Sequence, residues 1–106
     1  MKKSKRLLIQ IVWEKGKKLP NRDHNVWRLD SCNALIKKDA YGTTGEYGWE
    51  IDHIIPKAKG GSDDMSNLQP LQWENNRAKS DGLETPAVIA KYGRNVKVAC
   101  FNILFG

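Results

Sequence analysis

Gly48-Trp49-Glu50-Ile51-Asp52-His53-Ile54-Ile55-Pro56-Lys57-Ala58-Lys59-Gly60-Gly61, continued through Asn67-Leu68-Gln69-Pro70-Leu71-Gln72-Trp73-Glu74-Asn75-Asn76-Arg77-Ala78-Lys79-Ser80-Asp81, is the stretch that decides the fold. Trp49 to Ile55 has the composition of a strand, and Pro56 stops it. Lys57 to Ser66 is a polar, glycine-bearing loop. Leu68 to Leu71 reads as a second short strand, with Pro70 requiring an edge or irregular position. Trp73 to Ser80 has helical composition apart from its asparagines, and Asp81-Gly82 ends it, with Gly82 expected as the residue just past the helix. The order is strand, loop, strand, helix.

Several side chains in this unit carry chemistry. A carboxylate such as Asp52 is a natural ligand for a hard divalent cation. A neutral imidazole such as His53 is a natural base near neutral pH. Adjacent residues of a regular strand point to opposite faces, so Asp52 and His53 can share a site only if the strand bends or ends there. Gly60-Gly61 lets the loop double back. Asn67, where the loop rejoins the second strand, can bond backbone across the loop and hold the His53 segment. On the helix, the Asn76 side-chain carbonyl can offer a second oxygen to a cation, with Asn75 as its rival one residue away. Lys79 lies one turn further on the same face and could reach a phosphate.

Outward from the core, Met1 to Arg6 reads as a basic, solvated arm and Leu7 to Trp13 as a strand buried on both faces. A signal peptide is rejected here, since the apolar run is short, contains Gln10 and leads into Glu14-Lys15. Lys15 to Asp23 is a basic loop. Val26 to Leu29 and Ala34 to Lys38 form a hairpin around Asp30-Ser31-Cys32-Asn33, and Tyr41 to Gly48 is a loop in which Tyr47 packs on something apolar. His24, in a polar loop, is structural or solvated. Trp13, Trp27, Trp49 and Trp73 are core candidates rather than stacking platforms. Thr85-Pro86 cap a short helix over Ala87 to Tyr92, and Val96 to Leu104 is a last strand.

The chain has 106 residues, enough for one domain with one modest core. Eighteen Lys and Arg against twelve Asp and Glu leave a net charge of +6. Such a surplus suits a polyanion, above all nucleic acid, where each phosphate contact releases counterions. Two isolated cysteines, Cys32 and Cys100, form no Cys-x-x-Cys pair and fit a reduced, cytoplasmic setting. No stretch is long enough to span a membrane.

Taken together, Asp-His-Ile-x-Pro at Asp52 to Pro56, Gly60-Gly61, Asn67-Leu68 and Asn-x-x-Lys at Asn76 to Lys79 resemble the HNH endonuclease motif of the ββα-metal, or His-Me finger, nucleases. Trp27 to Asp30 and Tyr47-Gly48 also look like small stand-alone HNH proteins of bacteria and phages, less specifically. The resemblance implies an α+β fold: a ββα-metal core of a two-stranded antiparallel hairpin plus a helix, with additional N-terminal strands and a C-terminal helix and strand. It implies one HNH nuclease domain over 1–106 with its motif core at 48–81. His53 would be the general base and Asn67 the residue orienting it, while Asp52 and Asn76 would hold one divalent cation. Many members carry His where this chain has Asn76. An oxygen donor there favours Mg²⁺, then Mn²⁺, over Zn²⁺. Lys57, Lys59, Arg77 and Lys79 are the expected phosphate contacts.

The function implied is hydrolysis of phosphodiester bonds in DNA, by nicking or double-strand cleavage. RNA suits the same charge, and a homodimer would be the simple route to cutting both strands. The competing reading is a nucleic-acid-binding module without catalysis, or a small phage-associated interaction protein on the same fold. A toxin-like nuclease would need a delivery segment that the sequence does not display.

Overall fold

The computed structural model describes residues 2–83 and the strands at 89–92 and 94–97. The chain begins with a helix, α1 (Lys3–Trp13), followed by a hairpin of β1 (Trp27–Leu29) and β2 (Leu35–Lys37). Next come β3 (Trp49–His53), β4 (Leu68–Gln72) and the helix α2 (Trp73–Lys79). A final hairpin pairs β5 (Ile89–Tyr92) with β6 (Arg94–Lys97). Each described sheet has two antiparallel strands. The architecture is α+β, with β3, β4 and α2 as a ββα unit. Among the described residues, no helix is long and apolar enough to cross a membrane.

Two expectations are corrected. Leu7 to Trp13 lies in a helix, not a strand, and that helix extends back through Lys3, so much of the basic arm forms its first turns. The reason lies in spacing. Leu8 and Ile9 pack on the core, and Val12 and Trp13 are fully buried, giving one stripe at helical intervals. Leu7 falls outside the stripe and is exposed. Likewise Ile89 to Tyr92 is a strand where the Thr85-Pro86 signal predicted a helix. Ile89, Tyr92 and Val96 are β-prone, and Tyr92 lies opposite Arg94 in the pairing of the two strands. Thr85, Pro86 and the stretch 98–104 of the expected last strand lie outside the described residues.

The core that fixes the ββα unit is built around two indoles. Val12, Trp13, Ile36, Trp49 and Leu68 are buried together, with Tyr41 and Ile51 packed against them. The Trp13 and Trp49 rings lie 5.5 Å apart, and Tyr41 meets Trp49 edge-on at 5.0 Å. Trp27 and Trp73 are only half-buried, and Tyr47 packs edge-on against Trp27 at 5.1 Å. Buried Arg28 reaches from β1 to the end of α1 and donates to the carbonyls of Glu14 (2.8 Å), Gly16 (3.2 Å) and His24 (2.9 Å). It satisfies carbonyls that a helix end leaves open and sets a cation where the helix dipole favours one. The His24 carbonyl also accepts from the Trp13 indole at 3.1 Å, so the His24 segment is structural.

Asp30 joins the first hairpin to the ββα unit. One carboxylate oxygen accepts from the backbone of Cys32 and Ala34, the other from the Gln72 backbone and the Asn75 amide. Burial pushes its carboxyl upward, opposed by the N–H donors of Gln72, Ala34, Asn75 and Cys32. α2 starts directly from β4, because the Gln72 side chain caps it by accepting from Glu74 and Asn75 N–H. It ends at Ser80, whose φ of 50° breaks the helix. Gly82 was expected to provide that break; its N–H instead closes back on the Lys79 carbonyl at 2.8 Å.

Candidate functional site

β3 and β4 pair in a register that sets Asp52 opposite Gln69 and His53 opposite Leu68. β3 ends at His53, which is how neighbouring residues come to serve one site. Asp52, His53, Pro56, Lys57 and Asn76 line a single cleft of about 270 Å³, and Ser80 and Asp81 from the end of α2 complete its wall. Of the site residues expected from the sequence, Asp52, His53, Lys57 and Asn76 line this cleft, supplied by one strand end, one loop and one short helix, whereas Asn67, Lys59, Arg77 and Lys79 are not among its lining residues.

The loop between the strands is held by Asn67. Its Oδ1 accepts from the Ile55 N–H at 2.8 Å, while its Nδ2 donates to the carbonyls of Ile55 (3.0 Å) and Ser62 (2.8 Å). Three bonds from one buried amide tie both arms of the loop together just past His53. The glycine pair makes this closure feasible. Gly60 has φ of 90°, and a Cβ on Gly61 would collide with the Ile55 carbonyl and approach the Asn67 amide.

His53 is partly exposed, and its Nε2 lies 2.7 Å from Asp63 Oδ1. Lys57 pairs with the other Asp63 oxygen at 3.0 Å. The hydrogen bond from His53, then that from Lys57, holds the Asp63 carboxyl below its usual range. An ionised carboxylate only accepts, so Nε2 is the donor in this bond, and in the neutral imidazole Nδ1 is then the nitrogen with the lone pair. Asp63 was not foreseen: within a polar loop of Ser62, Asp63 and Asp64, nothing in the sequence marks one carboxylate over the next.

The side of the cleft around Asp52 is more enclosed. Asp52 is buried, accepts from the Gln69 amide at 2.9 Å, and pairs with Lys79 at 3.2 Å. Lys79 is equally buried and also donates to the His53 carbonyl at 2.8 Å. This departs from the expectation of a phosphate-facing lysine. The helix face that carries Lys79 turns inward onto β3, so its ammonium serves Asp52 and the backbone beside it. Of the other expected phosphate contacts, Lys57 and Lys59 lie exposed on the loop. Arg77 is exposed too, 3.5 Å from Glu50 and stacked over Trp73 at 5.3 Å.

The two asparagines of α2 separate cleanly. Asn75 is fully buried and committed to Asp30. Asn76 lines the cleft, with its Nδ2 bonded to Glu50 Oε1 at 2.7 Å. Glu50 was also missed from sequence, although its place two residues before Asp52 puts both carboxylates on one face of β3. The oxygen donors present fit a hard cation. Each Asp52 oxygen keeps a lone pair beyond its one protein partner, and Asn76 adds a neutral carbonyl oxygen. Among the described residues no group of three or more His, Cys, Asp or Glu is placed to hold a metal. The donor set is thus a mixed carboxylate and amide one.

A strand, loop, strand and helix that gather a carboxylate, an imidazole and an amide oxygen in one cleft define the ββα class of nuclease-type folds. Residues 31–82 match the family model of the HNH endonuclease domain. The match spans β2 to the end of α2, and so covers every residue of the cleft. Comparison with curated proteins and with solved structures returns no match.

Proposed function

We propose that the protein is a divalent-cation-dependent endonuclease that hydrolyses phosphodiester bonds in DNA. The observation that carries this reading is His53, its Nε2 bonded to Asp63, lining the same cleft as Asp52 and Asn76. Asp52 and Asn76 would hold one cation, Mg²⁺ first and Mn²⁺ second, which when bound neutralises charge developing on the phosphate and its leaving oxygen. His53 Nδ1 takes the proton of the attacking water as the water oxygen bonds to phosphorus. The 3′ oxygen leaves and is protonated from solvent, giving a 5′ phosphate and a 3′ hydroxyl. Asp63 keeps the imidazole in the tautomer that accepts, and Asn67 keeps the loop behind it closed. Lys57, Lys59 and Arg77 stand exposed where they can meet backbone phosphates. Lys79 keeps the Asp52 carboxylate in place.

The test is nicking of supercoiled plasmid in Mg²⁺, with and without chelator, by the wild type and by His53→Ala. Loss of a general base lowers the rate about a hundred- to ten-thousand-fold. DNA affinity measured by gel shift should stay as in the wild type. Equal nicking by both proteins would sink the mechanism, and binding without nicking by the wild type would identify a nucleic-acid-binding module instead.

A further inference from the structure

Asn76 can serve a cation only if its amide is turned the right way. The two ends of an asparagine amide are nearly the same shape and opposite in chemistry: the oxygen accepts, and the nitrogen carries two protons and repels a cation. An asparagine on a short helix beside an open cleft is free to present either end. Here the choice is made by Glu50. Its Oε1 lies 2.7 Å from Asn76 Nδ2, and its Oε2 is 3.5 Å from the Arg77 guanidinium. A carboxylate offers no proton, so it admits only the nitrogen end of the amide. With Nδ2 drawn to Glu50, Oδ1 is left for the cleft that Asn76 lines with Asp52.

We infer that Glu50 is a positioning residue for the cation site, holding Asn76 Nδ2 through a charge-assisted hydrogen bond so that Oδ1 faces the cation. The inference rests on the cation reading given above. It explains three features of the sequence at once. Glu50 sits two residues from Asp52, because both must share the face of β3 that meets α2. Arg77 follows Asn76, where it occupies the second Glu50 oxygen and leaves the first for the amide. An asparagine, not an aspartate, is required at Asn76, because an aspartate would set two carboxylates against each other. Partners of this kind, which fix a ligand without touching the cation, commonly set metal affinity by about ten- to a hundredfold.

Mn²⁺ binding to the free protein, followed by the loss of the free-ion electron paramagnetic resonance signal, tests this without any assay of cleavage. Glu50→Gln keeps the size of the side chain but can donate to Asn76 Oδ1, so the amide is no longer forced one way. It should bind Mn²⁺ about ten- to a hundredfold more weakly. Asp81→Asn removes a carboxylate from the same cleft without touching Asn76, and should change affinity by less than about threefold as a control for net charge. The exchange variant Glu50→Gln with Asn76→Asp lets the new glutamine amide donate to the new carboxylate, whose second oxygen faces the cleft. It should recover wild-type affinity. Circular dichroism confirms that each variant is folded. Wild-type affinity in Glu50→Gln, equal losses in Glu50→Gln and Asp81→Asn, or no recovery in the exchange variant would overturn the role of Glu50 and leave the cation reading intact. A wild type that takes up no Mn²⁺ would overturn both.

Discussion

The two sides of the cleft are built on opposite physical terms. On the proposed cation side, Asp52 and Lys79 are each under a tenth exposed, and the contacts described for them run between β3, β4 and α2. On the proposed base side, Asp63 keeps 71 % of its side-chain surface and Lys57 keeps 61 %, and their contacts stay within one loop and the strand end that leads into it. The first is part of what holds the fold together. The second is chemistry laid over a loop that Asn67 closes from behind. Substitutions on the cation side should therefore register first as lost stability, and those on the base side as lost function with the fold intact.

The largest expected effect is that of Lys79→Met. Methionine fills a similar volume but leaves the enclosed Asp52 carboxyl with the Gln69 amide and no cationic partner among the described residues, and leaves the His53 carbonyl without its donor. Removing one partner of a buried pair costs about 3–5 kcal/mol, because the other charge stays behind. Single domains have only about 5–15 kcal/mol in total. Urea unfolding should show the midpoint falling with an unchanged slope. A loss under about 1 kcal/mol, the range of an exposed pair, would mean that the two sides of the cleft do not differ as described.

Lys79 also shows what the sequence leaves hidden. Its position one turn after Asn76 was legible, and so was the strand, loop, strand, helix order. These follow from local rules: strand composition, a proline stop, a glycine pair, a helical interval. The expectation that Asp52, His53 and Asn76 share a site came instead from the HNH resemblance, and those three do line one cleft. Depth does not. A lysine on a seven-residue helix reads as solvated until one knows that this face is pressed onto β3. Asp30 was passed over as a turn residue for the same reason, since its partners at Gln72 and Asn75 lie more than forty positions away. α1 was misread for a different cause. The β-branched Ile9, Ile11 and Val12 suggested a strand, and their spacing with Leu8 and Trp13, which is helical, was the better guide.

Asn67→Ala sharpens the boundary between the two sides, because Asn67 is buried yet acts on the loop. It removes the acceptor for the Ile55 N–H and the donors to Ile55 and Ser62. Leaving such groups unpaired costs about 1–3 kcal/mol, less than the loss of Lys79. The damage should be local. Hydrogen exchange at the Ile55 amide should speed up by about tenfold or more, the equivalent of 1.4 kcal/mol of local opening. Amides of the buried Trp13 and Ile36 should change only as far as global stability does. Uniform loss of protection over the whole chain would mean that the loop is part of the core.

Asp63→Asn is the mildest change for the fold and the clearest for the base. The carboxyl is largely exposed, so its contribution to stability is small, but its sign is fixed. A carboxyl held below its ordinary 3.8 in the folded chain adds stability above that value and loses it as the pH falls through the folded value. Melting of the wild type and of Asp63→Asn should therefore differ slightly at pH 5 and converge as the pH falls below 3.8. The effect on catalysis has another origin. An asparagine can offer His53 Nε2 either its oxygen or its nitrogen, so the imidazole is no longer confined to the tautomer with Nδ1 free. The turnover rate should drop while the concentration of DNA giving half-maximal rate stays the same, since no phosphate contact is lost. Wild-type turnover in Asp63→Asn would show that the imidazole is aligned by the backbone around it, which would make the base side as much a property of the fold as the cation side.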